Sequence, residues 1–196
     1  MYAAFEDPYC YEHSNVLRNK PDFRNQNDLE GFEATITAQR AEEPIQDIDP
    51  TAASYRRIHH HLFQDIYEWA GAYRTIRLIK DGSVFCYPEN IPTEMSRLFN
   101  RLKTQNGFRG LDVRSFAAQT ARFLSDINAI HPFREGNGRT QNVFLAWLGD
   151  YADHPLDFRL YEKERVIQCM IQCMICSFRG DEAPLGQLLL DMCTIR

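Results

Sequence analysis

The chain has 196 residues, 44% hydrophobic and 25% charged, which are the proportions of a globular protein, and this length suits one domain or one domain with an added arm. Its net charge of −5 lacks the basic excess that a sequence-independent grip on nucleic acid requires, so no nucleic-acid partner is expected, while a local basic pocket for a phosphate ligand stays open. Six cysteines do not make a disulfide framework at this size, no apolar run reaches the ~18 residues that span a bilayer, and Met1-Tyr2-Ala3-Ala4-Phe5-Glu6-Asp7 lacks the pattern of a secretory signal, so a reducing, cytoplasmic setting without a membrane is expected.

Residues 1–25 are rich in Pro, Asn and aromatics and show no periodicity, which predicts an irregular arm packed on the body. Leu29, Phe32, Ile36 and Ala38 recur at roughly helical spacing and predict a helix over 26–43. Asp47-Ile48-Asp49-Pro50 is a turn, and Thr51 is placed to cap a helix in which Tyr55, Ile58, Leu62 and Ile66 recur, ending near Ala70-Gly71. Residues 75–79 and 84–87 then flank Lys80-Asp81-Gly82-Ser83, a hairpin signal with Asp-Gly in the turn. Pro92 opens a helix running to about Gln105, and Phe116, Thr120, Phe123, Ile127 and Ile130 form one apolar stripe on a helix over 113–130. The carboxyl-terminal third is again helical, with breaks at Asp153-His154-Pro155 and between Gly180 and Pro184. The expected architecture is mostly α with one β-hairpin: residues 1–50 as an arm and helix packed on the core, and residues 51–196 as the core, forming a single structural unit.

The loop after Ile130 reads His131-Pro132-Phe133-Arg134-Glu135-Gly136-Asn137-Gly138, and a second helix is expected from Arg139, burying Val143, Phe144, Trp147 and Leu148. Gly136 and Gly138 allow the backbone to bend and approach a ligand closely. Asn137 tolerates unusual backbone angles and carries donors and an acceptor. The N–H groups that open the following helix form an anion site, to which Arg139 adds a planar donor fork suited to phosphate. Glu135 beside such a site repels phosphate unless Mg²⁺ bridges the two. His131 accepts a proton near neutral pH. Phe133 faces the other way and anchors the loop. Against this stands a plain glycine-rich connection between helices; a lone Gly-Asn-Gly would favour that, and the ordered set of base, acid, glycines and Arg reverses the preference. No Walker loop occurs.

His131 to Arg139 resembles the Fic (Fido) family signature His-x-Phe-x-Asp/Glu-Gly-Asn-Gly-Arg at every specified position. The likeness extends to Asp7-Pro8-Tyr9-Cys10-Tyr11, to Val16-Leu17-Arg18-Asn19-Lys20 and to the run from Ile58 to Gly71 containing Trp69-Ala70-Gly71, so that it spans roughly residues 7–150 and resembles bacterial Fic toxins and Fic-bearing effectors. It implies a Fic fold, a helical bundle around a helix–loop–helix active site with a β-hairpin flap, and protein adenylyltransferase activity with ATP as donor and Mg²⁺ as cofactor. It further implies that His131 deprotonates the target hydroxyl, Glu135 holds Mg²⁺, Gly136, Asn137 and Gly138 cradle the α- and β-phosphates, and Arg139 pairs with the β/γ-phosphates. The hairpin Lys80, Asp81, Gly82, Ser83, Val84, Phe85, Cys86 and Tyr87 would hold a target protein by strand addition. The implied setting is the bacterial cytosol, or a host cytosol for a delivered effector. Some members transfer phosphate, UMP or phosphocholine instead.

Two features depart from the family pattern. Asn142 stands where a second Arg is expected, on the face it shares with Arg139. Three readings follow: weak activity, a different donor, or a nucleotide- or protein-binding module that transfers little. The family's self-inhibitory Ser/Thr-x-x-x-Glu-Gly/Asn segment has no copy here, and among relatives without one a separate small antitoxin supplies that helix, so the toxin of a toxin–antitoxin pair is one implied role.

Other patterns carry less. Cys169, Cys173 and Cys176 match a cluster-binding spacing but sit in a helical apolar context and are read as buried free thiols. Adjacent residues on a helix point about 100° apart, so His59-His60-His61 divides between core and surface and does not converge on a metal. Arg56-Arg57 reads as a solvated face or a local salt bridge. Arg74 matches a basic family position and either braces the flap or is surface charge.

Overall fold

The computed structural model describes residues 7–80, 83–158 and 181–194. Its helices are α1 (Gln26–Glu42), α2 (Ala52–Phe63), α3 (Ile91–Thr104), α4 (Val113–Ile130), α5 (Asn137–Tyr151) and α6 (Ala183–Thr194), with β1 (Ile79–Lys80) paired antiparallel to β2 (Ser83–Val84). Helix starts follow side-chain chemistry. The Asn25 side chain accepts from the Asn27 and Asp28 amides, the Thr51 side chain from Ser54, and the Asp112 side chain from Arg114 and Ser115, so each satisfies donors that a helix start leaves over.

Helix α4 lies at the centre, against α3 and α6, while α2 packs on α1 and α5. The expected α4 stripe of Phe116, Thr120, Phe123, Ile127 and Ile130 is buried throughout. Tyr55 of α2 joins the layers: its ring centroid lies 5.6 Å from Phe99 of α3, 5.4 Å from Phe144 of α5 and 5.7 Å from Phe133 in the loop between α4 and α5.

Three boundaries and one buried face differ from the sequence reading. The helix expected to reach Gly71 stops at Phe63, and the chain folds back through turns. Apolar spacing persists because Ile66 and Tyr67 are buried by that return, and Gly71 ends it with φ +79° while its amide donates to His59 Nδ1. The hairpin strands are two residues long; the Ile76 carbonyl, the next acceptor in register beyond Leu78, is taken by Arg74 and so cannot extend the ladder. Helix α5 starts at Asn137 and not at Arg139, because Gly136 takes the left-handed conformation and the Asn137 side chain clasps Phe133. In α1 the buried residues are Leu29, Glu33 and Thr37, and Ala38 is exposed.

Asp81 and Gly82 lie outside the described residues, as do Cys169, Cys173, Cys176 and the helix expected around them; Lys80 and Ser83 are described for the main chain only. Among the described residues, no helix is long and apolar enough to cross a membrane.

Candidate active site

The loop of residues 131–136 joins two helices that point their ends at one place: the carboxyl end of α4 and the amino end of α5. His131 closes α4 in a left-handed conformation (φ 49°, ψ 64°), costly for a residue with a side chain, and is 7% exposed. Its ring stacks on Phe85 of the flap, with centroids 4.0 Å apart and planes 18° from parallel. Phe133 is fully buried and stacks 3.8 Å from the ring of His59.

His59 fixes the loop further. The Gly71 amide donates to its Nδ1 at 2.8 Å, and its Nε2 lies 3.0 Å from the Glu135 carbonyl, an acceptor only. The imidazole is therefore neutral with its proton on Nε2. Burial drives its pKa down to about 3, with the positive charge of Arg139 acting in the same direction and the Glu135 carbonyl acting against it.

The glycines divide by role. A Cβ at Gly136 would fall 2.3 Å from the Phe63 ring, and its φ of +80° disfavours any side chain, so packing alone demands glycine there. A Cβ at Gly138 would meet nothing within 4 Å, so that residue leaves the first turn of α5 open, as an approaching phosphate requires. The Asn137 side chain is 3% exposed; its Oδ1 accepts from the Phe133 amide at 3.0 Å and its Nδ2 donates to the Phe133 carbonyl at 2.8 Å. The carboxamide therefore braces the loop, and what Asn137 has for a ligand is its main-chain N–H at the helix start.

Glu135 Oε1 accepts from the Gly136 amide at 2.9 Å and lies 3.5 Å from Arg139. Its side chain is 32% exposed, which leaves it reachable by a cation. Arg139 lies over the Phe63 ring and donates through Nη2 to Glu33 Oε2 of α1 at 2.7 Å. Glu33 is held on its other oxygen by the Tyr67 hydroxyl, whose pKa is raised by burial and by the neighbouring Glu33 charge. Asn142 is half-buried on α5, three residues beyond Arg139.

In the flap, the Phe85 amide donates to the Leu78 carbonyl at 3.2 Å. The register then makes Ile79 and Val84 a non-hydrogen-bonded pair whose own N–H and C=O groups face outward. Their side chains are 42% and 51% exposed, and that of Tyr87 is 43% exposed.

The residues that sequence reasoning missed hold the others in place. Glu33 lies on a buried stripe with Leu29 and Thr37 at four-residue steps, and its spacing of four from the apolar Leu29 is its only local signal. Asp7 pairs with Arg134 at 2.6 Å, with the two side chains 10% and 7% exposed, and nothing local announces it. Arg74, by contrast, is singled out by the sequence: of its two readings the brace holds and surface charge does not, since it is 2% exposed and bonds main-chain oxygens of the loop and the hairpin.

A family model described as the Fic/DOC family matches residues 49–148. A probable protein adenylyltransferase of Sinorhizobium fredii, y4lH, is 47% identical over 186 residues, covering 94% of this chain and 95% of that one. The protein adenylyltransferase VbhT of Bartonella schoenbuchensis is 30% identical over 195 residues, 96% of this chain but 39% of its own length. Among solved structures, the ADP-bound amino-terminal Fic domain of a Bartonella quintana effector superposes with a TM-score of 0.78 at 33% identity, covering 94% of this chain and 93% of that one.

Proposed function

The chain belongs to the Fic/DOC family, and from that premise we propose that it is a protein adenylyltransferase, moving AMP from ATP to a hydroxyl side chain of another protein. The observation that carries this reading is the loop of residues 131–136, which sets an imidazole, a reachable carboxylate and an open, Arg-flanked helix start within one turn of one another. The ADP-bound relative supports a nucleotide at this kind of site.

In the proposed step, His131 takes the proton of the target hydroxyl as its oxygen attacks the α-phosphorus. The bond between the α-phosphorus and its bridging oxygen breaks, and pyrophosphate leaves. The first-turn N–H groups of α5, opened by Gly138, receive phosphate oxygens, and Arg139 offers donors beyond the one committed to Glu33. A single carboxylate such as Glu135 fits Mg²⁺, which binds one or two carboxylates together with phosphate oxygens and water. When bound, the ion would offset phosphate charge. The outward-facing N–H and C=O of Val84 suit strand addition by the target segment.

A second reading, a Fic-fold binding module or an enzyme with another donor, is favoured by one observation: Asn142 supplies no cation on the Arg139 face. Absence of a self-inhibitory segment from the sequence supports regulation by a separate small antitoxin, and the setting that goes with it is the bacterial cytosol, or a host cytosol after delivery. The test is incubation with α-labelled ATP, Mg²⁺ and cell lysate. Label on a protein band, lost with His131→Ala, supports transfer. ATP binding without label in either form supports the binding module.

A further inference from the structure

The flap and the candidate base are separate pieces of chain, and a hydroxyl held on the flap must meet His131 at hydrogen-bond distance for its proton to move. Something must therefore set the distance between them. The side chain placed to do so is Arg74, which follows the turns after α2 and lies 2% exposed between the two. Its Nε donates to the His131 carbonyl at 2.7 Å, and its Nη1 to the Ile76 carbonyl, leading into β1, at 2.6 Å. Its Nη2 donates both to the Cys86 carbonyl just after β2 at 2.6 Å and to the Ile130 carbonyl at the end of α4 at 3.2 Å. One nitrogen thus joins the flap to the helix that His131 terminates. The main chain adds to this: the Arg74 amide donates to the Pro132 carbonyl at 2.9 Å and the Cys86 amide to Ala129 at 3.1 Å.

Three physical features make this more than packing. The Ile130 and His131 carbonyls are among the last acceptors of α4, which a helix leaves unsatisfied and where its dipole favours a cation. The left-handed His131 is held in that conformation by a bond on its own carbonyl, so the direction of its side chain depends on that bond. A guanidinium is a rigid plane with donors on three nitrogens; an ammonium concentrates its donors on one atom and cannot span the same set of oxygens.

We propose that Arg74 is a positioning residue that fixes the separation between the target-holding flap and the His131 base, and so serves the acceptor hydroxyl and not the nucleotide. This rests on the transfer reading above. Phe85 acts with it, because its ring lies on the His131 ring from the flap side. The nucleotide seat at the start of α5 receives none of these Arg74 bonds, so nucleotide binding and target transfer should separate when Arg74 changes.

The experiment compares wild type with Arg74→Lys, which keeps the buried charge, and Arg74→Met, on the full chain. Melting temperature, ATP affinity by calorimetry, and kcat and KM for a labelled target are measured, together with hydrogen exchange at the Phe85 and Cys86 amides. In Arg74→Lys we expect ATP affinity within about twofold of wild type, kcat for the target at least tenfold lower, and faster exchange at both amides. Arg74→Met should follow the same order with larger losses. Wild-type kcat and KM in Arg74→Lys, or unchanged amide exchange, would overturn the proposal. So would parallel loss of ATP affinity and transfer, which is the mark of a merely structural residue. If wild type itself transfers no label, the transfer reading fails, and amide exchange still decides whether Arg74 ties the flap to the loop.

Discussion

Glu33 of α1 and Arg139 of α5 form an ion pair at 2.7 Å across the opening of the candidate nucleotide site, and the Tyr67 hydroxyl holds the carboxylate in place. Glu33 is nearly buried and Arg139 about one-third exposed, so the acid is a fixed counter-charge facing the region where phosphate is proposed to bind.

Removing that charge should tighten nucleotide binding. Two like charges about 6 Å apart repel by roughly 3 kcal/mol at an effective dielectric of about 20. Solvent around the exposed part of Arg139 cuts this to about 1 kcal/mol, or roughly fivefold in affinity. Glu33→Gln should therefore bind ATP more tightly in a calorimetric titration. Weaker binding would show that the carboxylate matters more as an anchor for the guanidinium than as a competitor for it.

Asn142→Arg should raise both ATP affinity and transfer rate. A hydrogen bond to a charged group contributes about 1.5–3 kcal/mol, or roughly ten- to a hundredfold. Position 142 follows Arg139 by three residues on α5 and is half-buried, so a long side chain there has a path toward the same ligand. A titration and a transfer assay on both forms check it; no gain in either removes position 142 from the nucleotide site.

Proline scanning should separate the two edges of the flap. Phe85→Pro deletes the amide that reaches Leu78 and should open the hairpin itself. Val84→Pro deletes an outward-facing amide, so the hairpin should persist while target modification falls and ATP affinity holds. Unimpaired modification by Val84→Pro would argue against strand addition on that edge.

Acid should destabilise the protein through His59. Its folded-state pKa, near 3, lies below the unfolded value of about 6.5, so the unfolded chain binds the proton first. The contribution is complete above about pH 6.5 and is lost as pH falls from there toward 3, at roughly 1.4 kcal/mol per pH unit. Denaturant titrations between pH 7.5 and 5 should show this slope in wild type and a reduced one in His59→Gln. An equal slope in both would assign the effect elsewhere.

Much of this could be read from local sequence. Helix α4 matches its predicted limits because its apolar stripe is strict and Asp112 caps it, and the loop from His131 to Arg139 stands out because each residue type has a separate use there. What sequence hid were contacts between distant residues. The return after Phe63 keeps helical spacing without a helix, so periodicity overran it. The Asn137 carboxamide looks suited to a ligand until its bonds to Phe133 are seen. Glu33 and Asp7 act on partners far along the chain, and no local pattern encodes such a pairing, as none encodes the bonds from Arg74 to the end of α4.

Asp7 and Arg134 stand 127 positions apart, and that separation has a consequence for the order in which the protein assembles. Closing so long a segment of flexible chain costs about 4 kcal/mol of entropy, more than one ion pair returns. The pair can form only once the intervening helices have already brought their ends together. During synthesis the arm emerges first and meets Ile66, Trp69 and Thr75 before the rest of the chain is made, yet Asp7 cannot pair until the loop that carries Arg134 has followed. Its closure on Arg134 is then a late folding event, and the loop that holds His131 acquires its final support only at that step.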